Sequence, residues 1–197
     1  MTVVKITLIG DGAVGKTALL ERYITRMFDP TYLNTIGASC ATHDTVVDGK
    51  TVRFQIWDLA GQPKYEIVRP IYYRGMMGTI LVYDITRTET YENTSKWLDE
   101  AFKNSGRGPV PVVLLANKDD LRLEASNTLT EKDGLALSRK IDNLSRSNGR
   151  GTECSFFETS AKTGQNVDIA FQELGRKILV YIKRLISNEI RPSLVPV

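Results

Sequence analysis

Histidine is almost missing from this chain of 197 residues: His43 is the single one. That leaves no histidine cluster to hold a metal and argues against a Ser-His-Asp catalyst. The two cysteines, Cys40 and Cys154, cannot build a disulfide framework and lack metal-ligand spacing, so a reducing cytoplasm is the expected location. No apolar run approaches the ~18 residues of a membrane span. The opening MTVVKITLIG is strand-like and lacks the apolar core and cleavage site of a signal peptide. A one-sided charge is lacking too. The net charge is +3, and the excess lies in residues 174–197, which carry five basic side chains and one acidic. So small and local an excess, without basic residues interleaved with aromatics, excludes a general nucleic-acid binder. What remains is an ordinary globular composition, 42% hydrophobic and 25% charged, at a length suited to one domain.

Short β-rich runs alternate with helical patterns. VVKITLI (3–9) precedes a glycine-rich turn and a helix through ALLERYIT. Segments 38–47 and 51–58 are strands around Asp48-Gly49, a dipeptide suited to a type I′ hairpin turn. GTILVYD (78–84) and VPVVLLAN (110–117) are apolar on both faces, as central strands should be, and SFFET (155–159) reads as the last strand. Helices are expected at about 90–104 and 130–144. In the final helix Val167, Phe171, Leu174, Ile178, Ile182 and Leu185 recur at three- and four-residue steps, which marks one buried face. The fold class is therefore α/β, a mostly parallel six-stranded sheet with one antiparallel edge strand and helices on both faces. Residues 1–188 form the domain and 189–197 a short irregular tail. SRSNGRGTE (145–153) reads as a polar loop. Ligands of such sheets bind at the carboxyl ends of the strands, where every motif below falls.

GDGAVGKT (10–17) satisfies G-x-x-x-x-G-K-[ST] between a strand and a helix. Glycines let successive N–H groups turn toward phosphate oxygens, aided by the positive end of the helix. The cradle comprises Gly10, Asp11, Gly12, Ala13, Val14, Gly15, Lys16, Thr17 and Ala18. Lys16 would meet the β and γ phosphates, and Thr17 would offer its hydroxyl to Mg²⁺. NKDD (117–120) ends an apolar strand and matches N-K-x-D. The two carboxylate oxygens of Asp120 suit the adjacent N1–H and 2-amino donors of guanine; against adenine they would stay unsatisfied. ETSAK (158–162) ends another strand where the same base would lie.

With these motifs in order, the chain resembles the Ras superfamily of small GTPases, most closely its Rab-like branch, from about Lys5 to Leu185. The resemblance implies the P-loop GTPase (G domain) fold, with GTP, GDP and Mg²⁺ as ligands. It implies that Asn117 and Asp120 contact guanine, that Lys118 packs along the base and braces the P-loop, and that the Ala161 N–H meets the guanine oxygen. Ser160 and Lys162 support that pocket, and Phe28 stacks on the base. Of two threonines, Thr31 and Thr35, the T-I-G match of Thr35-Ile36-Gly37 selects Thr35 for Mg²⁺ and the γ-phosphate. Tyr32 lies over the phosphates, and Asp58 holds Mg²⁺ together with Thr17 and Thr35. The Gly61 N–H tethers the γ-phosphate, and Gln62 orients the attacking water.

The resemblance thus implies a monomeric switch that hydrolyses GTP slowly. Activating and exchange partners and effectors would meet it through residues 28–38 and 60–76. The alternatives are a non-hydrolysing guanine-nucleotide scaffold and a P-loop kinase, the latter contradicted by N-K-x-D. Four departures stand out. Pro63 follows the glutamine and restricts it, so the water-orienting pose is either preset or excluded. Cys40 replaces an aromatic on the effector-reading surface. The segment 145–153 is extended, and the ending SLVPV has no cysteine to prenylate. Arg176, Lys177, Lys183 and Arg184 read as a solvated face, so membrane contact is at most peripheral.

Overall fold

The computed structural model describes residues 1–29, 35–147 and 154–189. Six strands form one sheet: β1 (Thr2–Ile9), β2 (Ala38–Val47), β3 (Lys50–Leu59), β4 (Gly78–Asp84), β5 (Val112–Asn117) and β6 (Ser155–Thr159). Their order is β2-β3-β1-β4-β5-β6. β1 pairs in parallel with β3 and β4, β4 with β5, and β5 with β6, while β2 and β3 are antiparallel. The hairpin between them turns at Asp48 and Gly49, both at positive φ (47° and 74°), as a type I′ turn requires.

Alternation along each strand sorts the core into two layers. Ile6, Leu8, Ile80, Val82, Val113 and Leu115 face one side of the sheet. There they meet α1 (Lys16–Thr25) and α6 (Val167–Glu189), whose Tyr23 and Phe171 rings stack with centroids 3.9 Å apart. Ile9, Leu81, Tyr83, Leu114 and Ala116 face the other side. They are covered by α2 (Pro70–Tyr73), α4 (Thr94–Asn104) and α5 (Glu131–Ser147). Every residue of β4 and β5 is buried, whereas β2 at the edge alternates. That difference is what central and edge strands require.

Three expectations shift. The helix expected over 90–104 starts earlier, as α3 (Thr88–Glu92), and passes into α4 through Asn93, which keeps helical φ and ψ (−74° and −10°) and donates its N–H to Glu89, while its side chain donates to Asp11. The apolar stripe of α6 is buried at Val167, Phe171, Leu174 and Ile178, but Ile182 and Leu185 are only partly covered. Both lie toward the C-terminal end of this 23-residue helix, at the margins of the two core layers. The segment 145–153 begins as helix, with Ser145 fully buried, while 148–153 lie outside the described residues, as do the tail from 190 and residues 30–34. Among the described residues no helix is long and apolar enough to cross a membrane. The basic residues of α6 are partly compensated: Arg176 pairs with Glu173 and Asp48, and Lys177 with Glu173.

Candidate functional site: a cradle at the carboxyl ends of the strands

Three strand exits, from β1, β5 and β6, enclose a cavity of about 510 Å³ together with Gly61 and Gln62 beyond β3. The β1 exit is the glycine-rich loop, and its shape depends on missing side chains. Gly10 has φ 133°, and a Cβ there would lie 2.1 Å from the Val82 carbonyl oxygen. Gly15, at φ 98°, leads into α1, and a Cβ would strike the Asn117 amide nitrogen at 2.3 Å. Ala13 is held left-handed at φ 62°, a strain of roughly 1–2 kcal/mol that the fixed loop must offset.

Lys16 folds back into this loop and donates from Nζ to the carbonyls of Gly10 (2.6 Å) and Asp11 (2.7 Å). It is 5% exposed, and burial pulls its ammonium down to about 8, with Asp58 and Asp11 opposing that shift. A buried cation framed by backbone is suited to a polyanion. Beside it Thr17 Oγ1 donates to Asp58 Oδ2 and lies 2.9 Å from Thr35 Oγ1, and Thr35 Oγ1 is 3.3 Å from the same carboxylate oxygen. Burial raises the Asp58 carboxyl above its usual range. Its second oxygen is buried with no partner among the described residues. These donors are hydroxyl and carboxylate oxygens only, and few enough to leave positions for water and phosphate, so the set fits Mg²⁺.

The β3 exit lies directly on the P-loop. A Cβ on Gly61 would come within 2.3 Å of the Asp11 carbonyl carbon and the Gly12 nitrogen. Gln62 follows in extended conformation (φ −73°, ψ 142°), as the residue before a proline should be. Its Oε1 is buried, and no partner for it occurs among the described residues.

On the base side, Asp120 Oδ1 accepts from Ser160 Oγ at 2.5 Å. Asn117 Nδ2 donates to the Val14 carbonyl at 2.8 Å, and its Oδ1 accepts from Thr159 Oγ1 and the Ala161 N–H, each at 3.3 Å. The structure therefore brings Asn117 against the P-loop, whereas Lys118 is ion-paired to Asp84 at 2.6 Å. Phe28, Lys118, Asp120, Ala161 and Lys162 line the cavity, with Ala18 on the phosphate side. Tyr32 and Thr31 lie outside the described residues.

Sequence reasoning missed several supports. Asp84 pairs with Lys118 and, at 3.4 Å, with Arg87, which donates to the Gly12 carbonyl at 2.8 Å. The signal was available, since Asp84 is an acid closing a wholly buried strand. Arg22 donates to the carbonyls of Ala161 (2.8 Å) and Lys162. No local pattern points to it.

A mostly parallel sheet with a phosphate-binding loop after its first strand and a guanine-suited acid after its fifth defines a guanine-nucleotide-binding P-loop protein. The Ras family model matches residues 5–180. The Ras-related protein Rab-13 of Mesocricetus auratus is 40% identical over 190 residues, 96% of this chain and 87% of that protein. YPTC6 of Chlamydomonas reinhardtii is 37% identical (96% and 82%), and RABA5c of Arabidopsis thaliana 41% (91% and 78%). The chain belongs to the Ras family. It is a Rab-like small GTPase, a GTP/GDP-dependent switch that hydrolyses GTP to GDP and phosphate with Mg²⁺.

Proposed function

We propose that hydrolysis here is carried by Gln62, acting on a phosphate end organised by Lys16, Thr17, Thr35, Asp58 and Gly61. The observation that carries this reading is the convergence of Thr35 and Thr17 on Asp58. It draws a residue from the segment before β2 onto the P-loop and the end of β3. Thr17, Thr35 and Asp58 would hold Mg²⁺, whose charge offsets that of the β and γ phosphate oxygens. Lys16, with three N–H donors and two carbonyl partners, has a donor left for a phosphate oxygen. The Gly61 N–H and the P-loop N–H groups donate to oxygens on which charge develops. Gln62, whose buried amide oxygen has no partner among the described residues, orients a water for in-line attack. Asp120 selects guanine, and Phe28 covers the base.

The switch is read by other proteins through residues 28–38 and 60–76. Ile36, Ile67 and Ile71 in these segments are 82%, 91% and 67% exposed, a large apolar surface for a solvated chain. The protein works as a monomer in the cytoplasm, touching membranes peripherally at most. Single-turnover hydrolysis of preloaded GTP tests the central role. The isolated protein should hydrolyse slowly, on the order of 10⁻⁴ to 10⁻² per second. Gln62→Leu should slow it by about tenfold or more while GDP release changes less than about twofold. A Gln62→Leu variant as fast as the parent would refute the assignment.

A further inference from the structure

Between the P-loop and Gln62 runs a chain of side chains that the reading above leaves without a task. Trp97 on α4 donates its indole N–H to Asp11 Oδ1 at 2.7 Å, and Asn93 donates to Oδ2 of the same carboxylate at 2.8 Å. The Trp97 ring also carries the Arg69 guanidinium, 4.4 Å from its centroid. Arg69 donates through Nε and Nη2 to the two oxygens of Glu100, both at 2.9 Å. Its remaining nitrogen, Nη1, donates to the Gln62 carbonyl at 3.3 Å.

The Arg69 side chain is 5% exposed, so solvent screens this cluster little. A guanidinium with two nitrogens fixed by one carboxylate and its plane set on an indole has little freedom left. The direction of Nη1 is then settled by α4. Trp97 and Glu100 are three residues apart on that helix and so share a face. One fastens Asp11, whose carbonyl receives Lys16 Nζ. The other fastens Arg69. The P-loop and the backbone of Gln62 are therefore held from a single helix face.

We infer that Arg69 is a positioning residue for hydrolysis: clamped on α4 by Glu100 and Trp97, it fixes the backbone of Gln62 against the P-loop and acts through Gln62. This rests on the role proposed above for Gln62. Lysine would keep the charge but lose the fork, because one ammonium cannot hold two carboxylate oxygens and a third acceptor in a fixed plane.

The test is single-turnover GTP hydrolysis by the full chain, with GDP release and thermal midpoints measured alongside. The variants are Gln62→Leu, Arg69→Lys, Glu100→Gln and the double variant Gln62→Leu/Arg69→Lys. Arg69→Lys and Glu100→Gln should each slow hydrolysis about three- to tenfold, the loss of one hydrogen bond's constraint, with GDP release within about twofold. The double variant should be no slower than Gln62→Leu alone; slowing by Arg69→Lys in the parent but not in the Gln62→Leu background is a pattern that a merely structural ion pair would not give. Parental rates for both Arg69→Lys and Glu100→Gln, or multiplied losses in the double variant, overturn the inference. Should Arg69→Lys fail to fold, Glu100→Gln decides by the same criterion. A slow Gln62→Leu beside fast Arg69→Lys and Glu100→Gln sinks the inference alone. Parental hydrolysis by Gln62→Leu sinks the role of Gln62 and the inference with it.

Discussion

Pro63 leaves Gln62 extended and opens a single 3₁₀ turn, Pro63–Tyr65. The Gln62 carbonyl also accepts from Arg69 Nη1 at 3.3 Å, so on the role proposed for Gln62 the preset pose is the one to test. Replacing Pro63 frees conformations worth roughly 0.4–1 kcal/mol. Pro63→Glu should therefore slow single-turnover hydrolysis about two- to fivefold and leave GDP affinity nearly unaltered. A rate equal to the parent's would make Pro63 a spacer. Cysteine chemistry divides as sharply. Cys40 is exposed on β2, while Cys154 is buried and burial pushes its thiol up to about 12. Iodoacetamide at pH 8 should label Cys40 in the native protein and reach Cys154 only after unfolding. Mass spectrometry of tryptic peptides reads the result, and native labelling of Cys154 would contradict the burial described.

At the scale of elements, helix packing is decided by where a side chain is missing. Gly134 of α5 sits under Phe156 of β6, and a Cβ would meet that ring at 2.1 Å. Alanine is the better helix former by about 1 kcal/mol, yet overpacking should win. Gly134→Ala is expected to lose roughly 1–3 kcal/mol in urea denaturation. A more stable variant would mean that Phe156 can move aside. The strands and the β2–β3 turn were legible because apolar runs and Asp48-Gly49 are local signals. The tie from Asn93 to the P-loop was not. Its side chain donates to Asp11, 82 residues away, and no periodicity encodes a partner at that distance. The same holds for the lower stripe of α6, where Ile182 and Leu185 continue the apolar period but pack only partly against the core.

Across the whole molecule, the candidate site was legible wherever one short motif supplies the atoms, as in the P-loop, N-K-x-D and E-T-S-A-K. It was hidden wherever two layers supply them. Trp97 meets Asp11 and Arg22 meets Ala161 only because α4 and α1 are laid on opposite faces of the sheet. Metal linkage would be global in the same sense, since the proposed ligands Thr17, Thr35 and Asp58 come from three parts of the chain. Chelating Mg²⁺ should speed release of a fluorescent GDP analogue by about tenfold or more, and excess Mg²⁺ should restore retention. Unaltered release would remove these residues from the ion. Asn117 carries a different consequence. Its amide joins the exits of β1, β5 and β6 using protein atoms alone. The three exits around the base are thus cross-linked through one amide, like three ropes made fast to a single cleat.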